Sequence, residues 1–123
     1  MPTTPQSNIL LAGALLAGTG VALGAFGAHA LRDTLGPQKL GWWNTAVQYQ
    51  MWHAVALVAL AAALPRAGLP AALLTIATLL FSGSLYGMAL TGARWLGPVT
   101  PIGGLLMIAG WGVVAWRCIG TPR

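Results

Sequence analysis

The stretch ILLAGALLAGTGVALGAFGAHAL, Ile9 to Leu31, decides what kind of protein this is. It holds no Asp, Glu, Lys or Arg across about 23 positions. A helix needs about 20 mostly apolar residues to cross a hydrocarbon core about 30 Å thick, so the run is sized for a membrane span that stops at Arg32. Its last part, GAFGAHAL from Gly24 to Leu31, carries the small-x-small triplet Ala28-His29-Ala30 that a signal peptidase would accept. A secretory signal, however, has a basic leading segment and an apolar core of only about 7 to 15 residues. No Lys or Arg precedes Ile9, and the run is too long, so the segment is expected to stay as a helix rather than be cleaved.

The rest of the chain agrees with a bilayer as solvent. Of 123 residues, 57% are hydrophobic and only 6% charged, against about 25% charged in an ordinary soluble domain. The single acid, Asp33, against six Lys and Arg gives a formal charge of +5. The basic residues stand singly at the ends of apolar runs, where they mark helix ends at the interface. They form no patch for nucleic acid. The one cysteine, Cys118, cannot make an intrachain disulfide and reads as an interfacial residue, with reactive or lipidated alternatives.

Length places four spans, at about 9–31, 45–64, 69–90 and 101–117. The second follows Trp42-Trp43, read as an interfacial pair, and the fourth takes Thr100 as N-cap and Pro101 at its first position. Short connections predict antiparallel neighbours, hence an all-α transmembrane four-helix bundle in one domain covering residues 1–123. Arg66, Arg117 and Arg123 fall on the side of the termini and Arg32, Lys39 and Arg94 on the other, which leaves the positive-inside count even. The amino terminus and Asp33 tilt the expectation towards both termini in the cytoplasm.

Gly13, Ala17, Gly20, Gly24 and Gly27 recur along the first span at a mean spacing near 3.5 residues and draw one seam. Small residues let helix backbones approach closely in lipid, where van der Waals contact is a main source of association. Gly83 and Gly87 repeat the device in the third span, and Gly103 and Gly110 in the fourth. Such seams serve packing within the bundle or docking of another copy or another membrane protein.

Polar residues gather in the second span. Gln48, Tyr49, Gln50 and His53 lie in its first half, with Tyr49 and His53 at i, i+4 and Gln50 and His53 at i, i+3 on a shared face. Polar groups inside a membrane face the bundle interior or a wet cavity, either as glue between helices or as a ligand site. The partners expected across from them are Thr75, Thr78, Ser82, Ser84 and Tyr86. His29 is expected at the membrane edge, within reach of Asp33, and is read as a helix-end histidine on the last carbonyls and the dipole or as held against the 42–48 stretch. A haem or metal pair of His29 and His53 is disfavoured by depth, because in one hairpin they differ by about eight residues, or about 12 Å along the axis. With one acid and no metal-ligand spacing, no catalytic residue, metal or cofactor is assigned.

Four strings together resemble a known family: GAFGAHAL (24–31), WWNTAVQYQMWHAVAL (42–57), FSGSLYGMALTG (81–92) and LGPVTPIGGLLMIAGW (96–111). They look like the small YgdD-like and YwdK-like membrane proteins grouped as domain of unknown function 423. The resemblance covers nearly the whole chain, in order. It implies a bacterial inner-membrane protein with four helices and places a family motif on Gly24, Gly27, His29, Gln48, Tyr49, Gln50, His53, Ser82, Gly83, Tyr86, Thr100, Pro101, Gly103 and Gly104. It transfers no molecular function.

The expectation is a non-enzymatic protein that works as a homo-oligomer or as an accessory subunit of another membrane protein. One alternative is a lipid, quinone or small-solute binding or transport site at Tyr49, Gln50 and His53, faced by Ser82 and Tyr86. Another is a cofactor-bearing redox subunit.

Overall fold

Thr4 begins the first helix by a reciprocal cap: its hydroxyl accepts the Ser7 N–H at 3.0 Å, and the Ser7 hydroxyl accepts the Thr4 N–H at 2.8 Å. Pro5 follows at the first helical position, where its missing N–H costs no hydrogen bond. The computed structural model describes residues 4–120. Helix α1 spans Pro5–Phe26 and continues as a π-helical turn, Gly27–Leu31. Helix α2 spans Pro37–Ala63, α3 Gly68–Thr91 and α4 Val99–Gly120, with a 3-10 turn at Arg94–Leu96 before α4. All four are long and apolar enough to cross a membrane.

The helix ends depart from the expectation in two instructive places. Helix α2 starts at Pro37, not Thr45, because Gly36-Pro37 supplies a start and the helix runs on through polar Gln38, Lys39 and Asn44. At about 1.5 Å per residue its 27 residues reach about 40 Å, longer than the hydrocarbon core, so hydropathy ends before the helix does. Trp43 is therefore buried inside the fold and is no interfacial marker. Helix α4 starts at Val99, so Thr100 is not its cap; the Thr100 hydroxyl instead pairs with Ser84 of α3 at 2.6 Å. Pro101 remains in the first turn, where proline is tolerated. Arg123 and the amino terminus, both used in weighing orientation, lie outside the described residues.

The connections are tight. The 32–36 link folds back with Thr34 and Leu35 N–H groups on the Leu31 carbonyl. The α2–α3 link turns through Arg66 at φ 57°, and α3 ends on Gly92 at φ 72°, a left-handed cap that glycine adopts without strain. Neighbouring helices are antiparallel: α1 packs on α2, α2 on α3 and α3 on α4, with a lesser contact of α1 on α3. Helices α2 and α3 form the middle, and α1 and α4 flank them with no substantial packing between the two among the described residues.

Small residues sit where the helices are closest. Ala46, Ala54, Ala77 and Ala89 are fully buried, while Leu15, Val21, Val55, Leu79, Leu105 and Ile108 face outward. This apolar exterior is what a hydrocarbon solvent requires and what water would not tolerate. The glycine seam of α1 is received by α2. A Cβ added at Gly13 would lie 2.9 Å from the Ala54 carbonyl oxygen, one at Gly20 2.5 Å from the Met51 sulfur, one at Gly24 3.3 Å from Val47, and one at Gly27 2.5 Å from the Trp43 indole. Gly103 and Gly110 of α4 likewise meet Phe81 and Leu74 of α3, and Gly87 meets Leu96. Gly83 is the departure: nothing lies within 4 Å of its Cβ position, so it packs against no other helix of the protomer.

Candidate functional site

Trp43 and Gln50 are seven residues apart on α2, close to two full turns, so both point along one side of the helix towards α1 and α3. The Gln50 amide nitrogen donates to the Leu16 carbonyl and to the Thr19 hydroxyl of α1, each at 2.9 Å. The Leu16 carbonyl can only accept, which fixes the orientation of the amide. Its oxygen then accepts the Tyr86 hydroxyl of α3 at 2.7 Å. One buried side chain thus ties three helices. The Thr19 hydroxyl donates onward to the Leu15 carbonyl at 2.7 Å.

Two further bonds extend this junction. The Trp43 indole N–H donates to the Leu23 carbonyl at 2.9 Å, and its ring packs edge-on against Tyr86 with centroids 4.7 Å apart. Gly27 leaves room for that indole. The π turn that starts there keeps Leu31 buried beside Trp43 and Ala89, and leaves His29 exposed. Such wide turns concentrate where a helix must readjust its register. On the far side, the Ser82 hydroxyl donates to the Ala46 carbonyl at 2.7 Å, which locks α3 to α2.

His53 belongs to a different junction. Its Nε2 accepts the Trp111 indole N–H of α4 at 3.1 Å, so Nδ1 carries the ring hydrogen and donates to the Tyr49 carbonyl at 2.7 Å. The ring is buried and both nitrogens are used. Tyr49 stacks on His53 with an interplanar angle of 12° and also meets Trp52 and Phe81. The i, i+4 pair therefore does meet, whereas Gln50 and His53 aim at opposite flanking helices.

The remaining sequence candidates make no hydrogen bond in either junction. Gln48 is exposed on the outer face of α2, and His29 has no hydrogen bond to Asp33 among the described residues. Thr75 and Thr78 donate to carbonyls of their own helix, Ala71 and Leu74, rather than to α2. The sequence reading did not single out Trp43, Thr19 or Trp111 as site residues. The signal for Thr19 was there, since it is the only hydroxyl between Ile9 and Leu31. Trp111 could not be found without knowing which way α4 faces.

Between α1 and α3 the Gln50 junction opens sideways into a cleft of about 210 Å³. Thr19, Gln50, Thr78, Ser82 and Tyr86 supply its polar lining, Leu16, Leu23 and Leu79 its apolar walls, and Gly83 its edge. Each buried polar side-chain atom already has a hydrogen-bond partner among the described residues. The cleft thus offers shape and a polar floor, with hydrogen bonding already committed to holding the helices.

Comparison with known proteins places this architecture. The family described as "Protein of unknown function (DUF423)" matches residues 23–104. The chain is 42% identical over 108 residues to the "UPF0382 inner membrane protein YgdD" of Escherichia coli K12, an alignment covering 84% of this chain and 82% of that protein. A UPF0382 membrane protein of Staphylococcus haemolyticus is 42% identical over 106 residues, covering 83% and 87% of the two chains. One from Staphylococcus saprophyticus reaches the same identity with 83% and 88% covered. No solved structure matches. The family match runs from Leu23, just before GAFGAHAL, to Gly104 in the first turns of α4; it includes Trp43, Gln50, His53, Ser82 and Tyr86 but not Thr19 or Trp111, and the chain belongs to this DUF423 family of multi-pass bacterial membrane proteins.

Proposed function

We propose that the protein is a non-enzymatic accessory membrane protein that receives a further transmembrane helix, from a second copy or from another membrane protein, against the cleft between α1 and α3. Gly83 carries this reading. The other glycines of the seams are filled from within the protomer, whereas Gly83 stands open at the edge of a cleft in the middle of a membrane-spanning helix. Leu79 and Leu90 flank it as exposed ridges on α3. A small residue between two large ones is a shape that admits a close helix crossing.

Substituting Gly83→Leu tests the proposal, because a Cβ there has nothing of the protomer within 4 Å and the variant should keep the wild-type fold. Extracted gently from native membranes, the wild-type protein should migrate as an oligomer or bring a membrane protein with it, and the variant should not. A monomer without partners, unaffected by the substitution, would overturn the reading. The same cleft favours one second reading, a lipid tail, quinone or small apolar solute resting on Thr19, Gln50 and Tyr86. Its sign is a small molecule, in place of a protein, that co-purifies and is displaced by Gly83→Leu. His53 has no part in either, and ligation of haem or metal through its Nε2 would displace the Trp111 donor.

A further inference from the structure

Gln48 takes part in neither polar junction. Two residues of helix turn it about 200° from Gln50, so it leaves α2 on the side away from the bundle and is exposed. Its amide makes no hydrogen bond among the described residues. Depth keeps it from water: Gln48 stands eleven residues from the start of α2 and fifteen from its end, or about 16 Å and about 22 Å. The helix exceeds the hydrocarbon core by about 10 Å, and even with all of that overhang at the Pro37 end, Gln48 stays about 6 Å inside the core. Lipid tails offer an amide neither donor nor acceptor, and polar side chains of membrane helices seldom face them.

The residues around Gln48 form a seam. Gly41, Thr45, Gln48, Trp52, Val55 and Ala59 follow one another at spacings of four, three, four, three and four, and all but half-buried Thr45 are exposed. That is the 3.5-residue repeat of helices that pair side by side. Trp52, exposed at 59%, is a second anomaly there. Tryptophan in a membrane gathers at the interfaces, yet Trp52 lies near mid-helix, and its indole N–H has no acceptor among the described residues. A carboxamide carries donors and an acceptor and so complements itself. Copies of one chain insert in the same direction, so a twofold axis between them runs along the membrane normal and brings identical residues to one depth. We infer that a second copy docks on the outer face of α2, with the two Gln48 amides hydrogen-bonded to each other across the axis and Trp52 and Val55 packed beside them. This face lies on the far side of α2 from the α1–α3 cleft and is independent of what the cleft receives.

One such amide pair adds about tenfold to an association constant, so dilution into detergent separates the copies and the contact is measured in the bilayer. Full-length protein labelled at Cys118 with donor or acceptor dyes and mixed in liposomes should show energy transfer that rises with the protein-to-lipid ratio. Gln48→Leu should move the midpoint of that rise about tenfold upward, and Gln48→Asn, which keeps the amide, should restore most of it. In dilute micelles Gln48→Leu should keep the wild-type melting temperature, so lost pairing is not lost folding. On oxidation in liposomes, Val55→Cys in a Cys118→Ser background should form a linked dimer, being two turns along the seam from Gln48. Leu105→Cys in the same background, at a site on α4 no less exposed, should not. Transfer at the random level at every ratio, a midpoint unmoved by Gln48→Leu, or crosslinks at position 105 in place of 55 overturns the inference. A midpoint moved by Gly83→Leu and not by Gln48→Leu also overturns it, and leaves the reading of the cleft standing.

Discussion

Gln50 uses both amide hydrogens and its oxygen in bonds to α1 and α3. Polar bonds between helices in a membrane average well under 2 kcal/mol, because the separated helices also find partners in the bilayer. Gln50→Leu is therefore expected to lower stability by about 1 kcal/mol in reversible unfolding from mixed micelles. Gln48→Leu, two positions away but exposed, should change it by far less. Equal effects would mean that the junction carries no special weight. His53 makes a parallel case: Trp111→Phe leaves the Nε2 acceptor without its donor, an expected cost of about 1–3 kcal/mol. The wild-type ring should show the Nδ1–H tautomer in nitrogen NMR, and the opposite tautomer would contradict the bond to the Tyr49 carbonyl.

Among helix contacts, the glycines differ by what stands opposite. A Cβ at Gly103 would lie 2.6 Å from the Phe81 backbone nitrogen and 2.9 Å from its Cα. Backbone cannot yield without separating α3 from α4, so Gly103→Ala should cost about 2–3 kcal/mol, the range of overpacked cores. Gly20→Ala meets chiefly the Met51 side chain, whose rotatable bonds let it move aside, with the Gln50 amide nitrogen next at 3.4 Å, and should cost less. Gly18→Ala has nothing within 4 Å and should be neutral or slightly stabilising. Melting temperatures in one detergent rank the three; a Gly103 variant as stable as wild type would show that α3 and α4 are not held this closely. The existence of these elements was legible in the apolar runs. Their ends were not, because hydropathy reports depth in the bilayer while the helix is carried by its own hydrogen bonds, as at Pro37–Asn44.

For the molecule as a whole, an odd number of connections puts both helix ends, Pro5 and Gly120, on one side. We propose that this side is the cytoplasm. Cys118, the one cysteine and exposed near that end, provides the measurement. A membrane-impermeant maleimide should label it only after intact cells are permeabilised. In a Cys118→Ser, Gln38→Cys variant, the opposite end should label without permeabilisation. The reverse pattern would invert the proposed orientation.

Sequence alone determined the solvent, the number of spans, the alternation of direction and the period of the glycine seam. All of these are local properties, set by run length, loop length and residue spacing. It also contained Gln50, Tyr86, Ser82 and His53 as the polar groups of the interior. Tertiary structure alone decided who meets whom: that α2 receives the α1 seam, that Gly83 is left outside, and that Trp43 is interior. It also separated Gln50 from His53. Three positions on a helix differ by about 60° in direction, and only the placement of α1 and α4 on opposite sides of the α2–α3 pair turns that angle into two junctions.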